Sequence, residues 1–216
     1  MKNIYYISGL GADKRVFKNL TINNSNETHI EWLKPLKREN ISEYSTRLIQ
    51  QIDTENPVIL IGVSFGGIIV QEIEKQIKVE KTIIISSVKL SKEFDFLMKL
   101  ASITKIHKVA PAPFLKWINL LTGDYFFSIK NKEESELLKL IIKETDNEFL
   151  LWAVNEIMCW KNENKTSGII HIQGDKDRIF RNRNIENVKW IKNGGHFMIM
   201  NKALEISEII NNELKN

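Results

Sequence analysis

The chain has 216 residues, 43% hydrophobic and 27% charged, with a net charge of +4. That balance suits one globular domain with room for an insertion, and mild charge without a binding motif argues against nucleic acid as a partner. A single cysteine, Cys159, excludes an internal disulfide, and no apolar run reaches the ~20 residues of a membrane span.

The N-terminal stretch MKNIYYISGLGADKR is broken by Gly9, Gly11 and Asp13 and is too short in apolar residues for a signal peptide, so a cytoplasmic protein is expected. Within it, residues 4–8 (IYYIS) read as a strand ending at glycines. Asp13 is a candidate N-cap for a short helix to Leu20. Residues 29–33 (HIEWL) alternate as a strand does. Residues 42–52 carry Tyr44, Leu48, Ile49 and Ile52 at helical spacing, with Ser42 as a candidate cap. The runs VILIGV (58–63) and TIIIS (82–86) read as strands buried on both faces, with a helix over 65–77 between them. Strand character then stops until IIHIQ (169–173) and NVKWI (187–191), and a helix over 202–214 closes the chain. Alternating strands and helices predict an α/β fold with a parallel sheet of about six strands covered on both faces. The expected core is residues 1–87 and 167–216, with residues 88–166 inserted as a helical cap.

The chemistry concentrates in ILIGVSFGGIIVQE (59–72). Ser64 lies in G-x-S-x-G between a buried strand and a helix, a nucleophile elbow in which Gly62 and Gly66 let the two backbones approach. A bland alternative is a glycine-rich turn whose serine only caps the helix. A serine hydroxyl needs a base to act as a nucleophile. Of four histidines, His29 sits in an early strand, His171 inside the apolar run IIHIQ, and His107 in the insertion with no evident partner. His196, in NGGHFM after a strand, is the candidate base, and its two glycines are expected to give the loop freedom to aim the ring. The base needs a carboxylate to fix its tautomer. Both Asp175 and Asp177 follow the strand in IHIQGDKDRIF; Asp177, further into the loop, is favoured.

The order Ser64, Asp177, His196, with GVSFGG, GDKD and GGHF at strand ends, resembles the α/β-hydrolase superfamily. The loop ISGLGADKRVF is similar to the family's oxyanion loop, with Ser8 where the family usually has histidine. The resemblance covers residues 4–86 and 168–214 and leaves the sheet six-stranded and all parallel. It implies an acyl-enzyme mechanism: Ser64 attacks an acyl carbonyl, His196 moves the proton, and the backbone N–H groups of Leu10 and Phe65 hold the oxyanion. This chemistry needs no metal or organic cofactor, and no Cys/His cluster has zinc spacing.

The insertion carries Phe94, Phe96, Phe114, Trp117, Phe126, Phe127, Trp152, Met158 and Trp160. Most are expected in its own core, and some against the substrate, which implies a small-molecule ester with an apolar part. Eight lysines against Glu93, Asp95 and Asp124 over residues 88–132 also permit an acidic carrier protein as partner, which would suit an acyl-carrier methyl esterase or a thioesterase. A different class is a non-catalytic ligand-binding protein on the same fold.

Overall fold

The computed structural model describes residues 1–95, 110–163, 168–181 and 185–215; Phe96 and His107 lie outside them. Six strands form one sheet: β1 (Lys2–Ile7), β2 (Ser25–His29), β3 (Val58–Val63), β4 (Lys81–Ile85), β5 (Ile170–Gly174) and β6 (Val188–Ile191). Their spatial order is β2-β1-β3-β4-β5-β6, and every neighbouring pair is parallel. β3 runs through the middle with all six residues buried, which is why VILIGV shows no alternation. Side chains nonetheless divide by parity. Ile59, Ile61 and Val63 pack with Ile4, Tyr6, Ile83 and Ile85 on one face. Leu60 packs with Tyr5, Ile7 and Ile84 on the other.

Helices cover both faces. α1 (Ile41–Ile49) and α2 (Phe65–Glu74) supply Tyr44, Leu48, Ile68 and Ile69 to the Leu60 side. The 3₁₀ turn Lys14–Phe17 supplies Val16 and Phe17 to the opposite side. Asp13 caps that turn by accepting from the Arg15 backbone N–H at 2.9 Å. α1 is capped by Asn40, not Ser42. Asn40 accepts from the Ser42 and Glu43 N–H groups while Glu43 reaches back to the Asn40 N–H, a reciprocal pair that Ser42 has no partner to match.

The second strand also sits earlier than its apolar alternation suggests. β1 pairs Lys2 to Tyr6 with Ser25 to His29, so the polar edge SNETH forms the ladder. HIEWL owes its pattern to other ties. Trp32 donates to Ser8 and Gly9, and both backbone groups of Leu33 bond to the Tyr44 hydroxyl.

Among the described residues between β4 and β5 lie three α-helices, α3 (Ala112–Phe126), α4 (Lys132–Glu144) and α5 (Asn147–Cys159), and no strand. Trp152 Nε1 donates to the Glu39 carbonyl and Trp160 Nε1 to Glu72, both at 2.8 Å, and Arg15 pairs with Glu144. Phe94 and Trp160 are buried as expected. Phe114 and Trp117 are not. They stand 47% and 56% exposed on α3, in a stripe with Ile118, Leu121 and Tyr125. Helical spacing places them on one side of α3, but the side packed against α4 carries Gly123 instead, which lies against Leu138. The last helix is divided into α6 (Met198–Asn201) and α7 (Ala203–Glu213), because Lys202 leaves helical geometry at φ −123°. α7 adds Ile206 and Ile210 to the Ile59 face. No helix among the described residues is long and apolar enough to cross a membrane.

Candidate active site

The sheet ends its strands at one edge, and the sequence puts its reactive side chains there. Ser64 follows β3 with φ 54° and ψ −117°, a left-handed conformation that costs a non-glycine residue about 1–3 kcal/mol. Tight packing enforces it. A Cβ on Gly62 would lie 2.3 Å from the Gly66 carbonyl oxygen, and one on Gly66 would lie 2.2 Å from that of Ile7. The turn is then pinned by Ser64 N–H donating to Ile85 (2.9 Å) and Ser87 Oγ donating to the Ser64 carbonyl (2.7 Å). The Ser64 side chain makes no capping bond to its helix. Its Oγ lies 2.9 Å from His196 Nε2 instead, so the capping alternative is wrong.

His196 follows β6 and is buried between the ring edges of Phe127 and Phe180, with centroids at 5.3 and 5.5 Å. The two glycines before it do not act through conformational freedom, as neither has a positive φ. They are required by contact. A Cβ on Gly194 would meet Met198 Sδ at 2.9 Å and Gly174 Cα at 3.0 Å, and one on Gly195 would meet Ser128 Cβ at 2.2 Å; a Cβ on Gly174 would in turn meet the Gly194 carbonyl oxygen at 2.3 Å. β5 and the His196 turn thus close on each other across glycine alone.

Asp177 Oδ2 lies 2.9 Å from His196 Nδ1 and also accepts from Gln173 Nε2 at 3.0 Å. Its other oxygen accepts the Ile179 and Phe180 N–H groups at 2.8 and 2.9 Å. Four hydrogen-bond contacts around a side chain only 1% exposed hold the carboxylate in one rotamer. Asp175 does not reach His196; its N–H bonds to Ile191, and its Oδ1 is buried without a partner.

The β1 loop closes the other side. A Cβ on Gly9 would sit 3.5 Å from Ser64 Cβ, and Leu10 and Phe65 border the same cavity as Ser64. Neither the Leu10 nor the Phe65 N–H is among the backbone groups paired outside regular elements. Ser8 braces this loop. Its Oγ donates to the Ala12 carbonyl at 2.6 Å and accepts from Trp32 Nε1 at 3.1 Å. Trp32, Ser87 and Gln173 are site-supporting residues that sequence reasoning missed, since none lies within a recognisable motif.

Ser64 and His196 open on a cavity of about 340 Å³. Val16, Leu138, Ile142, Leu150, Val154 and Phe180 give it an apolar wall. Phe127 and Met158 of the inserted span also line it, whereas Phe114 and Trp117 do not. Lys116 is the one lysine or arginine among the described residues that line it, and its ammonium donates to the carbonyls of Lys143 and Thr145. The other two described histidines, His29 and His171, play no part in the cluster. His29 stacks on Tyr6 at 5.0 Å, and burial lowers its pKa. His171 is lowered to about 4 by burial and then by the Lys89 ammonium, so it is neutral. Of the lysines expected to form a basic surface, Lys89 donates to the Glu186 carbonyl, while Lys99, Lys105 and Lys108 lie outside the described residues. No group of three or more His, Cys, Asp or Glu among the described residues could hold a metal ion.

No family model and no curated protein sequence matches the chain. Solved structures do match. MenH from S. aureus superposes with a TM-score of 0.75 at 15% identity, covering 99% of this chain and 93% of that one. A bromoperoxidase from Bacillus anthracis gives 0.72 at 17% identity, covering 100% and 92%. A carboxylesterase from Nitrososphaera gargenis gives 0.70 at 16% identity, covering 99% and 90%. The chain has the α/β-hydrolase fold. In an α/β-hydrolase fold the cluster of Ser64, His196 and Asp177 sits at the ends of β3, β6 and β5, above the C-terminal edge of the sheet. Proteins of this fold carry several activities in their names, so it is the site that must argue the reaction.

Proposed function

We propose that the chain is a serine hydrolase acting on carboxylic esters with an apolar acyl or alcohol part. The reading is carried by one observation: Ser64 Oγ, His196 and Asp177 are joined by two contacts of 2.9 Å at the wall of an apolar cavity. Asp177 holds the Nδ1–H tautomer, leaving Nε2 to accept the Ser64 proton as Oγ attacks the acyl carbonyl. The Leu10 and Phe65 N–H groups donate to the oxyanion, and the α2 N-terminus adds its dipole. His196 then protonates the leaving alcohol and activates water to release the acid.

Apolar lining on both sides of Ser64 favours neutral esters of short to medium chain. Lys116, with its ammonium engaged by two carbonyls, leaves little to attract an anionic substrate. A series of p-nitrophenyl esters from acetate to dodecanoate tests this. Hydrolysis should peak at short to medium acyl chains and vanish in Ser64→Ala. Binding of these esters without turnover by folded protein would refute it and favour a ligand-binding role.

A further inference from the structure

Gln173 is fully buried on β5, one residue before the Gly174 turn. Its amide nitrogen donates to Asp177 Oδ2 at 3.0 Å and to the Phe180 carbonyl at 3.2 Å. The first acceptor is the same oxygen that faces His196 Nδ1, and the second belongs to the residue whose ring lies against the imidazole. Both amide hydrogens are committed, which settles the amide's orientation: turned over, it would aim its oxygen at a carboxylate and a carbonyl.

The other end of the amide, Oε1, lies on the side of His171, two residues earlier on the same face of the strand, where the Gln173 side chain favours the charged imidazole against the effect of burial. Neither Oε1 nor the two His171 ring nitrogens makes a hydrogen bond of good geometry, so the firm bonds of the amide are the two on the Asp177 side.

We propose, resting on the catalytic reading of Ser64, His196 and Asp177, that Gln173 is a positioning residue that fixes the Asp177 carboxylate and the Phe180 wall around His196. It also shares the negative charge of Oδ2 with the imidazole. The titratable and charged groups around this chain are Asp177, His196, Asp175 on the same turn, His171 on β5, and Lys89, whose ammonium acts on His171. None of them is replaced in the test.

The test compares wild type, Gln173→Leu and Gln173→Glu from about pH 5 to 9. It reads the rate of fluorophosphonate labelling at Ser64, and kcat and KM with p-nitrophenyl butyrate. In Gln173→Leu, kcat should fall ~10-fold or more at unchanged KM, because the Asp177 carboxylate and the Phe180 wall are no longer fixed around His196. In Gln173→Glu, two carboxyls share a buried site and hold one proton between them. While it is held, the introduced O–H donates to Oδ2 and activity stays near wild type. As it is lost, activity falls, giving an alkaline limb that wild type lacks.

Wild-type kcat in Gln173→Leu together with no alkaline limb in Gln173→Glu would overturn the proposal, as would reduced stability with kcat unchanged. If Gln173→Leu does not fold, the near-isosteric Gln173→Glu decides alone. Failure of wild-type Ser64 to label would refute the reading of the site itself, a result distinct from labelled wild type with indifferent variants.

Discussion

Replacing Asp177 by asparagine should remove activity while leaving the protein folded, and the hydrogen bonds around the carboxylate say why. Oδ1 accepts two backbone N–H groups, from Ile179 and Phe180, and Oδ2 accepts from Gln173 while facing His196 Nδ1. An amide has a single acceptor oxygen. The backbone donors cannot rotate, so that oxygen should take the Oδ1 place and leave the NH₂ facing Gln173 and His196. The imidazole then moves its proton to Nε2, where it points at Ser64 and can no longer accept. A wrong tautomer of this kind is associated with ~10⁴-fold loss of kcat, about 5 kcal/mol of transition-state stabilisation. The NH₂ also meets the Gln173 N–H, at a stability cost of about 1–3 kcal/mol. Steady-state kinetics with p-nitrophenyl butyrate near pH 8, beside a urea titration, reads both numbers. A loss under about tenfold in folded protein, or one confined to KM, would show that Asp177 does not set the tautomer.

His171 makes stability sensitive to acid. Its pKa is about 4 in the fold against an ordinary 6.5, so the unfolded chain takes up the proton first. Its contribution is whole above about pH 6.5 and is lost as pH falls towards 4, amounting to about 2 kcal/mol by pH 5. His171→Leu should therefore lose about that much less than wild type between about pH 8 and 5 in urea titrations, and equal losses would refute the shift. Trp32→Phe removes the N–H that braces Ser8 and the Gly9 carbonyl. It should lower kcat by ~10-fold at similar KM, because the neighbouring Leu10 N–H loses its support; unchanged kcat would show that the loop holds itself.

The site was legible where local chemistry is specific. Gly62-x-Ser64-x-Gly66 is a weak signal alone, but the buried apolar run before it and the helix after it set it apart from a turn whose serine only caps a helix. His196 is picked out by its place just past a strand, and Asp177 is favoured over Asp175 because it lies further into the loop after its strand. The support was not legible. Gln173 is four residues from Asp177 in sequence, yet only the turn at Gly174 brings their side chains together. Gly194 and Gly195 read as a flexible loop, whereas contacts with Gly174 and Ser128 demand them. β2 escaped because pairing with β1, not apolar alternation, makes SNETH a strand. The spacing of Phe114 and Trp117 gave a helical stripe but could not say which side of α3 faces its neighbours.

The central claim is that Ser64 is an activated nucleophile. A fluorophosphonate probe, with peptide mass spectrometry to locate the adduct, tests it most directly. The account predicts a single adduct on Ser64, absent from Ser64→Ala and His196→Ala. Folded wild-type protein that stays unlabelled, or an adduct that persists in His196→Ala at the wild-type rate, would contradict it.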